Sequence, residues 1–133
     1  MAQLTHFSGR SRAALLVLNG AGALIATGFA AAGLARPSIA EPQSGAEANT
    51  LTSFWAASSA VRTFAITGPL LTSLLTHRGP SPQILTAAGI VQLGDAALGL
   101  RQRNTFMTLA PAVMGAIHLI TARALSAEAG HRD

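Results

Sequence analysis

Between Arg12 and Arg36 the chain runs from Ala13 to Ala35, 23 residues, without one charged side chain. A helix rises 1.5 Å per residue, so that stretch covers roughly 34 Å and exceeds a hydrocarbon core of about 30 Å. A membrane is the solvent such a segment calls for, and composition agrees. Half of the 133 residues are hydrophobic and only 11% are charged, against about a quarter charged in ordinary soluble domains.

Three further apolar segments follow at about 52–76, 82–100 and 105–122, the first two each holding one charged residue. The first of them opens on the interfacial pair Phe54 and Trp55. Residues 36–50 hold Pro37, Pro42, Gly45, Glu41 and Glu47, a composition that breaks helices and favours water. The connections at 77–81 and 101–104 are a few residues long, which forces consecutive helices to lie antiparallel. No sustained period-2 alternation supports strands or a barrel. The expected fold is therefore all-α, a single domain forming an antiparallel up-down bundle of four transmembrane helices. A cleaved secretory signal competes for the first span, since Ser38-Ile39-Ala40 resembles a cleavage site, but the apolar run is far longer than a signal core of 7 to 15 residues.

The pI near 11.7 suggests a nucleic-acid partner, yet the chain has no lysine, no basic run and no arginine stripe interleaved with aromatics. The arginines flank apolar segments instead, where they anchor helix ends to headgroups and water. With both termini on the cytoplasmic side of a cell inner membrane, Arg10, Arg12, Arg78, Arg123 and Arg132 lie inside and Arg36, Arg101 and Arg103 outside, a bias in the expected direction. In lipid, helices associate through small residues. Gly22 and Ala26, Gly28 and Ala32, Gly89, Gly94, Gly99, Ala112 and Ala116 are the expected contact positions, and homo-oligomerisation through one such face is open.

Polar residues inside the spans carry the functional signal. A charge at the centre of a spanning helix costs about 2.5–3.5 kcal/mol on insertion scales, so Arg62 and Asp95 are expected to face inward and pair. By depth, Arg62 lies about ten residues and Asp95 about six from the same surface, a height difference of roughly 6 Å. Asn19 and His118 fall together nearer the opposite surface, with Gln92 between the two layers, sharing the Asp95 face at i and i+3. Pro69 frees the Ala65 carbonyl one turn from Arg62, and Ser58 and Ser59 lie one turn away on the other side.

Two accounts of this set compete. In one, buried polar groups satisfy one another and fix helix register. In the other they line a cavity, with Asp95 as general acid or base, His118 as a second proton carrier, and Arg62, Asn19 and Gln92 as donors to a developing oxyanion. Trp55, Ser58, Ser59 and Met114 are then candidate substrate contacts. Such a set needs no cofactor. One histidine and one carboxylate inside the spans fall short of a zinc site, and there is no phosphate loop or nucleophile elbow. His6, His77 and His131 read as solvated terminal or loop residues, and the absence of cysteine excludes thiol chemistry.

At Ala60-Val61-Arg62, Gly94-Asp95-Ala96 and His118 the chain resembles a family of short bacterial and fungal four-helix membrane proteins, some of which look like natural-product pathway enzymes. Thr63 stands where that pattern places an acid after the arginine. The resemblance implies a four-helix layout and cofactor-independent chemistry on a hydrophobic metabolite. The expected function is acid–base catalysis on a lipophilic small molecule, such as epoxide opening, isomerisation or cyclisation. The alternatives are a small transporter or proton-conducting subunit that uses Arg62, Asp95 and His118 as a relay, and a structural interaction protein.

Overall fold

A computed structural model describes residues 9–37, 49–76 and 79–130. It is all-helical, with α1 at Gly9–Ala35, α2 at Thr50–Leu75, α3 at Pro82–Arg101 and α4 at Thr105–Ala129. Most of the 36–50 loop, the Ser38-Ile39-Ala40 sequence, and His6, His77 and His131 lie outside the described residues.

Local chemistry sets the boundaries. Asn49, Ser81 and Asn104 cap α2, α3 and α4 by accepting from the backbone N–H groups of Thr52, Ile84 and Met107 at 2.9, 3.2 and 3.1 Å. Pro82 follows Ser81 at the first helical position, where its missing N–H costs nothing. The α3–α4 connection is a Schellman turn: Asn104 N–H donates to Gly99 C=O at 2.9 Å and Arg103 N–H to Leu100 C=O at 3.0 Å. Arg103 sits in the left-handed region with φ of 56°, where a side chain costs about 1–2 kcal/mol relative to glycine. In the α2–α3 connection the corresponding conformation, φ of 73°, is held by Gly79. α4 continues to Ala129 rather than ending near 122, because Arg123 marks the polar end of an apolar stretch and not the end of the hydrogen-bonded ladder.

α1, α3 and α4 are each long and apolar enough to cross a membrane. α2 has the length but not the hydropathy, since nine of its 26 residues are Ser or Thr and one is Arg62. The distribution of side chains is the reverse of a soluble bundle. Large apolar residues point outward on every helix, among them Ile25, Phe29, Val61, Ile90, Phe106 and Val113, while the interior is largely small or polar: Asn19, Ala23, Ala60, Thr67, Ala88, Ala96, His118, Thr121 and Ala122. That arrangement gains nothing in water and suits lipid, where helices are held by close packing and hydrogen bonds.

Each helix gives one residue to a central cluster of Ala23, Leu70, Leu85 and Ala122. Across the contacts residue numbers run in opposite senses. Gly20 faces Leu74 and Thr27 faces Thr67 between α1 and α2, Gly89 faces Leu119 and Gly99 faces Met107 between α3 and α4, and Asn19 meets Thr121 while Gly22 meets Met114 between α1 and α4. α3 and α4 make the most intimate pair: Gly89 lies against Gly115 and Leu119, and Gly99 against the Met107 and Thr108 backbone. Gly28 and Gly94 have open space where a Cβ would stand, so these two glycines of the expected small-residue faces do not serve packing within the bundle.

Candidate functional site

The interior polar groups fall into separate sets. Asn19 is fully buried, and His118 and Thr121 are nearly so. Asn19 Nδ2 donates to Thr121 Oγ1 at 2.9 Å and to Leu15 C=O at 2.7 Å. Its Oδ1 lies 2.5 Å from His118 Nδ1, so with both amide hydrogens engaged, Nδ1 is the donor and carries the ring proton. Thr121 Oγ1 in turn reaches Ile117 C=O at 2.7 Å. Between α1 and α2, Thr27 Oγ1 lies 2.9 Å from Thr67 Oγ1, and each hydroxyl is also within 3.0 Å of a carbonyl in its own helix, Ala23 for Thr27 and Thr63 for Thr67. Among the described residues no fully buried side-chain nitrogen or oxygen lacks a partner.

A satisfied network at that depth specifies which helix faces meet. Asn19→Leu removes three of its hydrogen bonds at once, leaving His118 Nδ1 without its acceptor while Thr121 keeps its bond to Ile117 C=O. It is expected to lower unfolding stability in detergent by about 1–3 kcal/mol, with Thr121→Val costing less because one Asn19 hydrogen then loses its partner. Equal stabilities for Asn19→Leu and the parent in a thermal melt would show that the network holds nothing.

The second set lies on the seam between α2 and α3. Arg62 Nη2 donates to both carboxylate oxygens of Asp95, at 3.0 and 3.3 Å. The expected pair therefore forms, but not inside the bundle: 45% of the Arg62 side chain and 27% of the Asp95 side chain remain accessible. It is the only hydrogen bond or ion pair joining α2 to α3 among the described residues. Nε and Nη1 of Arg62 donate to no protein acceptor there, and the Ala65 carbonyl freed by Pro69 is not a partner. Trp55, Ser58, Ser59 and Arg62 are all exposed and follow one another along the outer side of α2, and Trp55 rests edge-on against Phe54 with ring centroids 5.5 Å apart.

The residues singled out in the sequence thus divide. Arg62, Asp95, Trp55, Ser58 and Ser59 share the α2–α3 side of the molecule. Asn19 and His118 meet in the core, with Thr121, which the sequence reading passed over. Met114 packs onto Gly22 between α1 and α4, away from Arg62. Gln92 is half-buried on α3 and bridges neither set among the described residues. The α3–α4 contacts, Gly89 with Leu119 and Gly99 with Met107, set Asp95 level with about residue 111 of α4, so Asp95 and His118 differ in height by about 10 Å. No group of three or more metal-ligating side chains occurs among the described residues. No family model, curated protein or solved structure matches this chain.

Proposed function

We propose that all four helices cross a membrane as an antiparallel bundle and that the protein is a cofactor-independent enzyme acting on a lipophilic small molecule that reaches the Arg62–Asp95 pair from the lipid. The observation that supports this reading is the exposure of the pair. An ion pair that only fixed register would be expected to face the bundle interior, away from lipid, with partners for its remaining donors. Here the guanidinium keeps three N–H groups uncommitted within the described structure, on a surface whose other large side chains are apolar.

A neutral oxygen-bearing lipophile supplies what that surface lacks. Its oxygen accepts from Arg62 Nε or Nη1, where negative charge developing during epoxide opening, enolisation or cyclisation is stabilised. Asp95 carboxylate, held beside the same oxygen by Arg62, takes or returns the proton. Trp55 gives an apolar wall one helical face away, and Ser58 and Ser59 give further donors. His118 is assigned to the packing network, because its ring proton is held by Asn19 and its level is well removed from Asp95. A proton relay through both residues has no such support. With both termini cytoplasmic, the pair lies nearer the outer surface of a cell inner membrane, on the side of Arg36, Arg101 and Arg103.

Expression of the parent and of Asp95→Asn in the same host, followed by comparison of organic extracts, tests the activity. A product present with the parent and absent with Asp95→Asn, after normalising to the protein found in each membrane fraction, is the expected result. Indistinguishable extracts would leave the interaction-protein reading in place of the enzyme.

A further inference from the structure

The α3–α4 turn carries a feature that neither the packing network nor the Arg62–Asp95 pair uses. Leu100, Arg103, Thr105, Thr108 and Leu109 line an open groove of about 360 Å³. Its lining mixes polar and apolar residues. Arg103 and Thr105 stand at the turn, while Leu100 and Leu109 are exposed apolar residues on the two candidate spans that meet there. The Thr108 hydroxyl is engaged by Asn104 C=O at 2.8 Å, whereas the Thr105 hydroxyl has no protein acceptor among the described residues.

The residue at the head of the groove is also the strained one. A left-handed position closing a Schellman turn favours glycine, and the chain uses glycine in that conformation at Gly79, yet here it places an arginine at φ of 56°. Strain kept where an easier residue exists points to a use for the side chain. Among the described residues no carboxylate is paired with this charge. Arg36, Arg101 and Arg103 stand at this end, while the described carboxylates are Asp95, paired with Arg62, and Glu128, 3.7 Å from Arg12 at the other end.

We propose that this groove binds an anionic glycerophospholipid, its phosphate against Arg103 and Thr105 and the start of an acyl chain along Leu100 and Leu109. Guanidinium suits a phosphodiester through paired charge-assisted hydrogen bonds. The occupant is a lipid rather than free phosphate because Leu100 and Leu109, exposed apolar residues of two candidate spans, line the groove beside Arg103. This site rests on the membrane placement of those helices and is independent of the chemistry at Asp95.

Purified protein in a neutral maltoside detergent is titrated with dioleoyl phosphatidylglycerol, dioleoyl phosphatidylcholine and glycerol 3-phosphate, with bound lipid and unfolding midpoint as readouts. Phosphatidylglycerol alone is expected to bind and raise the midpoint. Arg103→Gly should unfold at a higher temperature than the parent without lipid, since strain is relieved, and still lose phosphatidylglycerol affinity tenfold or more. Arg103→Asn, which tolerates the left-handed conformation, should lose the same affinity, and Arg36→Gln should keep it. Unchanged phosphatidylglycerol affinity in both Arg103 variants, or equal responses to phosphatidylcholine or glycerol 3-phosphate, would overturn the site alone. Recovery of the parent from the aqueous fraction without detergent would overturn the membrane placement together with it.

Discussion

Gly99→Ala is expected to be among the most damaging single-methyl additions in the molecule. A Cβ at that position would stand 2.5 Å from the Met107 carbonyl carbon and oxygen and 2.7 Å from the Thr108 nitrogen. These are backbone atoms of the first turn of α4, fixed by the Asn104 cap on Met107 N–H and by the Schellman bond from Asn104 to Gly99 itself, so no side chain can swing aside. Relief requires α3 and α4 to separate at the turn, which loses close contact along the most tightly packed pair of helices. Overpacking of this kind costs about 1–3 kcal/mol and occasionally more, and the upper part of that range applies because the obstacle is main chain. Two other glycines calibrate the result. Gly89→Ala meets the Leu119 side chain at 2.7 Å and Gly115 C=O at 3.2 Å, so part of its strain is absorbed by a rotamer change. Gly94→Ala meets nothing within 4 Å and should be neutral or slightly stabilising, since alanine is the better helix former. Chemical or thermal unfolding in detergent should rank the three in that order, and a Gly99→Ala protein as stable as Gly94→Ala would show that the α3–α4 approach is not as close as described.

That ranking also shows what could be read from the residues and what could not. The helices themselves were legible, because long apolar runs alternate with short stretches holding Pro, Gly or Arg; the caps Asn49, Ser81 and Asn104 that begin α2, α3 and α4 sharpen boundaries that the runs alone set only approximately. The level of Asn19 with His118, and of Arg62 with Asp95, followed from counting rises along helices of opposite sense. The direction each residue faces was harder to read. In a soluble helix apolar side chains mark the core, but in lipid both the core and the surroundings are apolar, so Gly28 and Gly94 look the same in sequence as Gly89 and Gly99. Arg62 was expected inward on energetic grounds and lies on the outer side of α2, a helix whose many hydroxyls also keep its hydropathy below that of the other three. Thr121 and the Thr27–Thr67 contact left no signal, because a threonine in a helix satisfies its hydroxyl on the carbonyl four residues back and fits apolar and polar positions alike.

The Arg62–Asp95 pair admits a test that separates folding from chemistry. Asp95→Leu leaves an arginine without its carboxylate partner on α2, and Arg62→Leu leaves a carboxylate without its cation on α3. In the proposed membrane placement either unpaired charge costs up to about 2.5–3.5 kcal/mol, the value at a helix centre, equivalent to a shift of up to roughly a hundredfold between inserted and non-inserted or folded and unfolded forms. Both single variants should therefore accumulate poorly in the membrane fraction. The double variant removes both charges and should recover most of the abundance and stability of the parent, giving a coupling of about 2 kcal/mol or more across the pair. The recovered double variant should nonetheless form no product in the extract comparison, because the proton carrier and the oxyanion donor are both gone. Recovery of stability together with activity would remove the pair from the mechanism. Full stability in each single variant would mean that Arg62 and Asp95 each reach water or headgroups alone, and that the seam between α2 and α3 does not stand within the hydrocarbon.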